Sequence, residues 1–161
     1  DGRRILGSPH PDYTFGMTNQ INFGSFDFSF YIWSVQGNKI LNNTRLEYQR
    51  PSNPFNNINL FSETADDVNA GLGAEAAVAL TDKFIEDGSF IRLQNVTIGY
   101  TLKTDQFKNL RFYLSADNLL TLTDYSGFDP EVSTISGLAE GIDYTNYPKA
   151  KTISFGINVG L

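Results

Sequence analysis

A chain of 161 residues is long enough to bury a core, but its net charge of −6 and 12 scattered Lys and Arg exclude a phosphate-tracking nucleic-acid surface or a basic membrane-adhesion face. Fourteen Gly, 13 Phe and 8 Tyr beside one Met and one Trp suit strands and turns better than helices. No apolar run reaches the roughly 18 residues of a transmembrane helix, whereas the alternating strands of a transmembrane barrel would leave mean hydropathy near that of a soluble protein.

At the start, Asp1-Gly2-Arg3-Arg4 is followed by only Ile5-Leu6 before Gly7 and Pro9, which is too short for a signal peptide. The chain therefore reads as cytoplasmic or as a downstream part of something longer. Five stretches then alternate with period two, each about as long as a tilted membrane strand. From Asp12 to Asn22, Tyr13, Phe15, Met17 and Ile21 oppose Thr14, Gly16, Thr18 and Gln20. From Ser25 to Val35, Phe26, Phe28, Phe30 and Ile32 oppose Asp27, Ser29, Tyr31 and Trp33, and the two-residue link Phe23-Gly24 predicts a tight hairpin.

The third stretch, Phe90 to Leu102, sets Val96, Ile98, Tyr100 and Leu102 against Asn95, Thr97, Gly99 and Thr101. The fourth, Arg111 to Leu119, sets Phe112, Leu114 and Ala116 against Tyr113, Ser115 and Asp117. In the last, Thr152 to Leu161, the row Ile153, Phe155, Ile157, Val159 and Leu161 alternates with Ser154, Gly156, Asn158 and Gly160.

The connections alternate between short and long, with the long ones at Gln36 to Ser89 and Leu120 to Lys151. That asymmetry is typical of outer-membrane barrels, whose periplasmic turns are short and extracellular loops long, while a soluble sandwich rarely needs so long an excursion. Tyr13, Tyr31, Trp33, Tyr100 and Phe107 lie near strand ends, where interfacial aromatic girdles form. A soluble β-sandwich or jelly roll remains the competing fold, because a solvent-facing sheet would carry similar polar residues. Five strands cannot close a barrel, so on the membrane reading the chain is a fragment.

Chemical constellations are sparse. The lone His10 sits between Pro9 and Pro11 and reads as a turn residue, so His-based triads and metal sites lack parts. With no cysteine, disulfides and thiolate sites are also excluded. Asp124, Asp129, Glu131 and Asp143 share the second long loop and offer oxygens of the kind that bind Ca²⁺, but lack the regular spacing of a known Ca²⁺-binding loop, and the preferred reading is a solvated acidic surface. No cofactor is expected. Gly71-Leu72-Gly73-Ala74 lacks the context of a phosphate cradle, and Ala74 to Leu80 is predicted as a short helix.

Loop aromatics and amides are the better candidates for ligand or partner contact: Tyr48, Phe55, Asn56, Asn57 and Phe61 in the first loop, Tyr125, Phe128, Tyr144 and Tyr147 in the second. Aromatic faces stack on sugar rings and amides bond hydroxyls, although loop aromatics also staple loops together.

Four ordered blocks carry a resemblance to a known family. The run from Asp82-Lys83-Phe84-Ile85-Glu86-Asp87-Gly88-Ser89-Phe90-Ile91-Arg92-Leu93 to Tyr100-Thr101-Leu102 resembles the late-barrel signature of SusC/RagA-like TonB-linked outer-membrane proteins. Gly7-Ser8-Pro9-His10-Pro11-Asp12-Tyr13 with Phe26-Asp27-Phe28-Ser29-Phe30, Ala116-Asp117-Asn118-Leu119 through Phe128-Asp129-Pro130, and Gly141-Ile142-Asp143-Tyr144 to the final strand are similar to that family in the same order.

The resemblance implies an all-β fold, in which this chain supplies the C-terminal five antiparallel strands of a transmembrane outer-membrane barrel of about 22 strands. It implies a non-enzymatic, TonB-dependent nutrient importer of Bacteroidota type, taking up a glycan or peptide. Its partners would be a SusD-like surface lipoprotein, the rest of the barrel and its plug, outer-membrane lipid, and the TonB complex through an N-terminal part not in this chain. Ile153, Phe155, Ile157, Val159 and Leu161 would form the assembly signal, although such chains usually end in an aromatic residue where Leu161 stands. A non-transporting surface or adhesion barrel on the same scaffold, or a secreted soluble binding domain, are the alternatives.

Overall fold

The computed structural model describes residues 4–49, 61–62, 64, 81–104, 107, 109–132 and 140–160. The chain divides into two compact units, one made of segments 13–36, 90–123 and 149–161, the other of 1–12, 37–89 and 124–148.

The first unit is one antiparallel sheet. Its strands are β1 (Tyr13–Phe23), β2 (Phe26–Gln36), β5 (Phe90–Leu102), β6 (Asn109–Thr123) and β8 (Thr152–Gly160), in spatial order β1-β2-β5-β6-β8. β1 and β2 form the hairpin, with Phe23 opposite Phe26 and Gly24 at φ +60° in the turn, a conformation that glycine adopts without a Cβ penalty.

The register decides which residues share a face. Tyr100 lies opposite Phe26 and Phe112, Ile98 opposite Phe28 and Leu114, Val96 opposite Phe30 and Ala116, while Phe112 and Leu114 meet Ile157 and Phe155 of β8. One face is therefore apolar across all five strands.

Simple alternation fails at one place. Between Tyr31 and Ile32 the β2–β5 register shifts so that β5 carries an extra residue, Gln94, and the β5–β6 register shifts between Leu93 and Asn95. This bulge switches parity in β5, placing Ile91 and Leu93 on the apolar face with Val96 and Ile98 and sending Arg92 to the opposite face. β6 also runs past Leu119 to Thr123, with Leu120 opposite Leu93 and Leu122 opposite Ile91. Asn118 takes φ 52° at the irregularity and donates from Nδ2 to the Ala150 carbonyl at 3.0 Å.

The second unit holds structure inside the expected loops. β3 (Lys39–Asn42) lies between β4 (Ile85–Asp87), to which it is antiparallel, and β7 (Ile142–Asp143), to which it is parallel. Helix α1 (Asn43–Tyr48) follows β3 and is capped by Asn42, whose Oδ1 accepts from Arg45 N at 2.8 Å. Ile40, Leu46, Phe84 and Tyr125 are buried in this unit. The helix expected at 74–80 lies outside the described residues, among which no helix is long and apolar enough to cross a membrane.

Candidate functional site

The apolar face of the large sheet stays uncovered. Phe15, Ile21, Ile98, Leu114, Leu120, Leu122, Ile153, Phe155, Ile157 and Val159 are all exposed, Phe155 by 67 % and Ile153 by 71 %. A contiguous apolar surface of this extent is not left to water by a soluble domain. Phe26 and Tyr100 pack at 4.6 Å between ring centroids at the hairpin end of this face, and Tyr13 lies at the other end of β1. Tyr31 and Trp33 do not belong with them: the register places both on the opposite face, where they lie 3.3 to 3.6 Å from the Cβ position of Gly16.

The opposite face is polar and internally bonded. Arg111 of β6 reaches across β5 to Asp27 of β2, with Nε to Oδ1 at 2.9 Å and Nη2 to Oδ2 at 2.5 Å. The strand between them presents Gly99, and a Cβ there would lie 2.6 Å from Arg111 Nη2, so the fork–fork pair depends on that missing side chain. Tyr113 lies under the guanidinium at 5.1 Å and covers Gly156 of β8. Nearby, Asn95 donates to Asp117 at 2.7 Å, and the buried Arg92 donates from Nε to Thr121 at 3.0 Å and stacks on Phe90 at 5.1 Å.

In the second unit, two carboxylates organise the long connections. Glu86 of β4 accepts from the Ser126 amide at 2.9 Å, the Ser126 hydroxyl at 2.8 Å, Asn42 Nδ2 at 3.1 Å and Arg45 Nη1 at 3.3 Å. Burial alone would raise its pKa, but the hydrogen bonds from Ser126, Asn42 and Arg45 outweigh it and hold the carboxyl below its ordinary range. Asp143 of β7 is buried; it accepts from Tyr125 OH at 2.6 Å, while Thr44 Oγ1 reaches its carbonyl at 3.3 Å and accepts from Thr145 N at 2.7 Å. Burial, and then the bond to Asp143, push the Tyr125 phenol well above its usual pKa.

Beside this network lies a pocket of about 560 Å³ lined by Thr44, Tyr48, Phe61, Phe128, Thr145, Asn146, Tyr147 and Pro148. It brings together four of the sequence candidates, Tyr48, Phe61, Phe128 and Tyr147, and Tyr48 and Phe61 pack at 5.7 Å between centroids. Tyr144 is exposed and does not line it. Tyr125, expected at a loop tip, is instead buried and tied to Asp143. Phe55, Asn56, Asn57 and Leu161 lie outside the described residues.

The acidic surface expected of the second loop is only half exposed. Asp124 and Glu131 face solvent, but Asp129 and Asp143 are buried because backbone and hydroxyl donors satisfy them, Asp129 Oδ1 accepting from Glu131 N at 2.9 Å. Among the described residues, no three or more Asp, Glu or His side chains converge as a metal-binding group. Sequence reasoning missed Glu86, Thr145 and Asn146, which carry no motif, and the Asp27–Gly99–Arg111 bridge, which only register reveals.

A single antiparallel sheet with one bare apolar face and one hydrogen-bonded polar face is a section of wall from a transmembrane-type β-barrel. No family model matches the chain. It is 33 % identical to TonB-dependent receptor P3 of Formosa agariphila, an alignment covering 98 % of this chain and 17 % of the relative. It is 31 % identical to TonB-dependent receptor SusC of Bacteroides thetaiotaomicron, covering 96 % of this chain and 16 % of that protein. Among solved structures, the RagAB peptide importer in its closed-closed state matches with a TM-score of 0.73 at 22 % identity, covering 97 % of this chain and 18 % of that one. The chain belongs to the family of TonB-dependent receptors that includes SusC and RagA. It spans about a sixth of the length of the curated relatives it matches, and those relatives are receptors and not enzymes.

Proposed function

We propose that this chain is a C-terminal part of the barrel wall of an outer-membrane TonB-dependent importer, which takes up an oligosaccharide or a peptide together with a SusD-like surface lipoprotein. The observation that carries the reading is the two-faced sheet: its apolar side chains suit lipid, and the Asp27–Arg111 bridge and its neighbours suit a hydrated lumen. Strand length agrees. Eleven residues of β1 span about 36 Å at about 3.3 Å per residue, or about 28 Å along the membrane normal at a tilt of about 40°.

The long connections supply contact surface for substrate or lipoprotein through Phe61, Phe128, Tyr144 and Tyr147, whose rings are exposed. The RagAB importer, which is a transporter of peptides by its name, favours a peptide as one substrate class. Two measurements test the proposal: the membrane fraction and intact mass of the polypeptide that contains this sequence, and nutrient uptake by cells lacking it. An outer-membrane protein of receptor size whose loss abolishes uptake of one nutrient supports the reading. A soluble species of 17.9 kDa rejects it.

A further inference from the structure

We infer that Glu86 and Asp143 are paired positioning residues that latch segments 39–49 and 85–88 of the first long connection to 124–128 and 140–147 of the second as one cooperative unit, so that losing either acceptor loosens the walls of the aromatic pocket together. The two carboxylates stand on different connections, and each takes its donors from the other as well as from its own. Glu86, on the first connection, accepts the Ser126 amide of the second at Oε2, and at Oε1 accepts the Ser126 hydroxyl together with Asn42 and Arg45 of its own. Asp143, on the second connection, takes Tyr125 of its own at Oδ2, while the Thr44 hydroxyl of the first lies within reach of both its backbone carbonyl at 3.3 Å and its Oδ1 at 3.4 Å, and Thr44 in turn accepts from the Thr145 amide.

The two clusters are continuous. Asn42 and Thr44 flank the start of α1, Tyr125 and Ser126 are adjacent in sequence, and β3 pairs with both β4, which bears Glu86, and β7, which bears Asp143. The Glu86 side chain is 13 % exposed and Asp143 3 % exposed, and Asn42, Thr44 and Tyr125 are themselves buried, so these three donors gain little from water when the acceptors are lost, whereas Ser126 reaches solvent. A cavity of about 210 Å³ lies between the clusters, touching Asn42, Thr44, Ser126 and Asp143, and the larger aromatic pocket shares Thr44, Phe61 and Phe128 with it. Releasing either carboxylate therefore frees a wall of the pocket on each connection. This goes beyond the import reading and stands or falls without it.

Hydrogen exchange on the full-length receptor in lipid nanodiscs tests the latch without any uptake assay. In Glu86→Ala, backbone amides of 39–49, 124–128 and 140–147 are expected to exchange about tenfold faster or more, together, while the five strands of the large sheet keep their protection. Asp143→Ala, which removes the side-chain acceptors of both Tyr125 and Thr44, is expected to give the same pattern from the other side. Glu86→Gln, which keeps an acceptor for the Ser126 amide but loses the charge toward Arg45, is expected to fall between wild type and Glu86→Ala. Asp87→Asn, one residue along β4 and bonded to Lys39 and not to the second connection, is the control expected to leave 124–128 and 140–147 within about twofold of wild type. If each substitution loosens only the connection that carries it, or if Asp87→Asn loosens all three segments as Glu86→Ala does, the latch is wrong. Should either alanine variant fail to accumulate, Glu86→Gln and Asp143→Asn, each expected to loosen the same three segments by less than its alanine variant, decide the question by the same readout.

Discussion

Exchanging Leu114 and Ser115 one at a time for arginine separates a membrane wall from a soluble sheet, because the two residues are neighbours in β6 on opposite faces. Leu114 lies on the apolar face between Ile98 and Phe155, and Ser115 on the polar face between Thr97 and Ser154. Leu114 is four residues from Leu110 and eight from Leu122, the ends of the apolar row in β6. At about 3.3 Å per residue and a tilt of about 40° those offsets are about 10 Å and about 20 Å, so the residue sits well inside a hydrocarbon layer about 25 Å thick. An arginine there is expected to cost about 2–4 kcal/mol. At Ser115 the neighbours are small and polar, and the expected cost is under about 1 kcal/mol. Urea titration of the full-length receptor refolded into lipid vesicles reads both values. Equal costs, or a larger cost at Ser115, would refute the assignment of faces.

Other consequences follow from single contacts. Gly99→Ala pushes a methyl group into the Asp27–Arg111 bridge and is expected to destabilise the receptor by about 1–3 kcal/mol in the same titration, whereas Gly24→Ala, in an open turn at positive φ, costs only about 1 kcal/mol. Tyr125→Phe leaves the buried Asp143 short of its closest donor and is expected to loosen the second unit by about 1–3 kcal/mol, read as faster amide exchange around 140–147 with the sheet unchanged. Asp87, held first by its hydrogen bond from Lys39 and then by Ser89, has a pKa of about 2 against an ordinary 3.8. Because the folded value is the lower one, the stability it lends is fully present above about pH 4 and lost as pH falls through about 2. Protection of the β3 and β4 amides, corrected for intrinsic rates, is expected to follow that window in wild type and to lose it in Asp87→Asn; a decline beginning near neutrality would contradict the assignment.

Much of the large sheet was legible because a strand with one face in lipid must alternate, and Ile153, Phe155, Ile157 and Val159 do so without interruption. Legibility stopped where alternation did. Gln94-Asn95 places two polar residues in succession, the visible trace of the bulge that flips Ile91 and Leu93, and the doublet Leu119-Leu120 hides the continuation of β6 to Thr123. The small sheet was invisible because β3, β4 and β7 hold only four, three and two residues, too few for any period to show. Among the pocket residues, aromatic character alone pointed to Tyr48, Phe61, Phe128 and Tyr147. It failed for Tyr125, whose hydroxyl serves a buried carboxylate, since no pattern in the chain separates a ring that stacks on a ligand from one that braces a loop.

The most direct test of the membrane-wall reading is the reactivity of single cysteines placed at positions 110 to 116 along β6, in an otherwise cysteine-free full-length receptor in intact outer membranes, toward a water-soluble thiol reagent. This segment carries no cysteine of its own. Labelling is expected to alternate, with cysteines replacing Arg111, Tyr113 and Ser115 modified from the aqueous lumen and those replacing Leu110, Phe112, Leu114 and Ala116 shielded by lipid. Uniform labelling, or labelling of the apolar row alone, would mean that this sheet is not the wall of a membrane barrel.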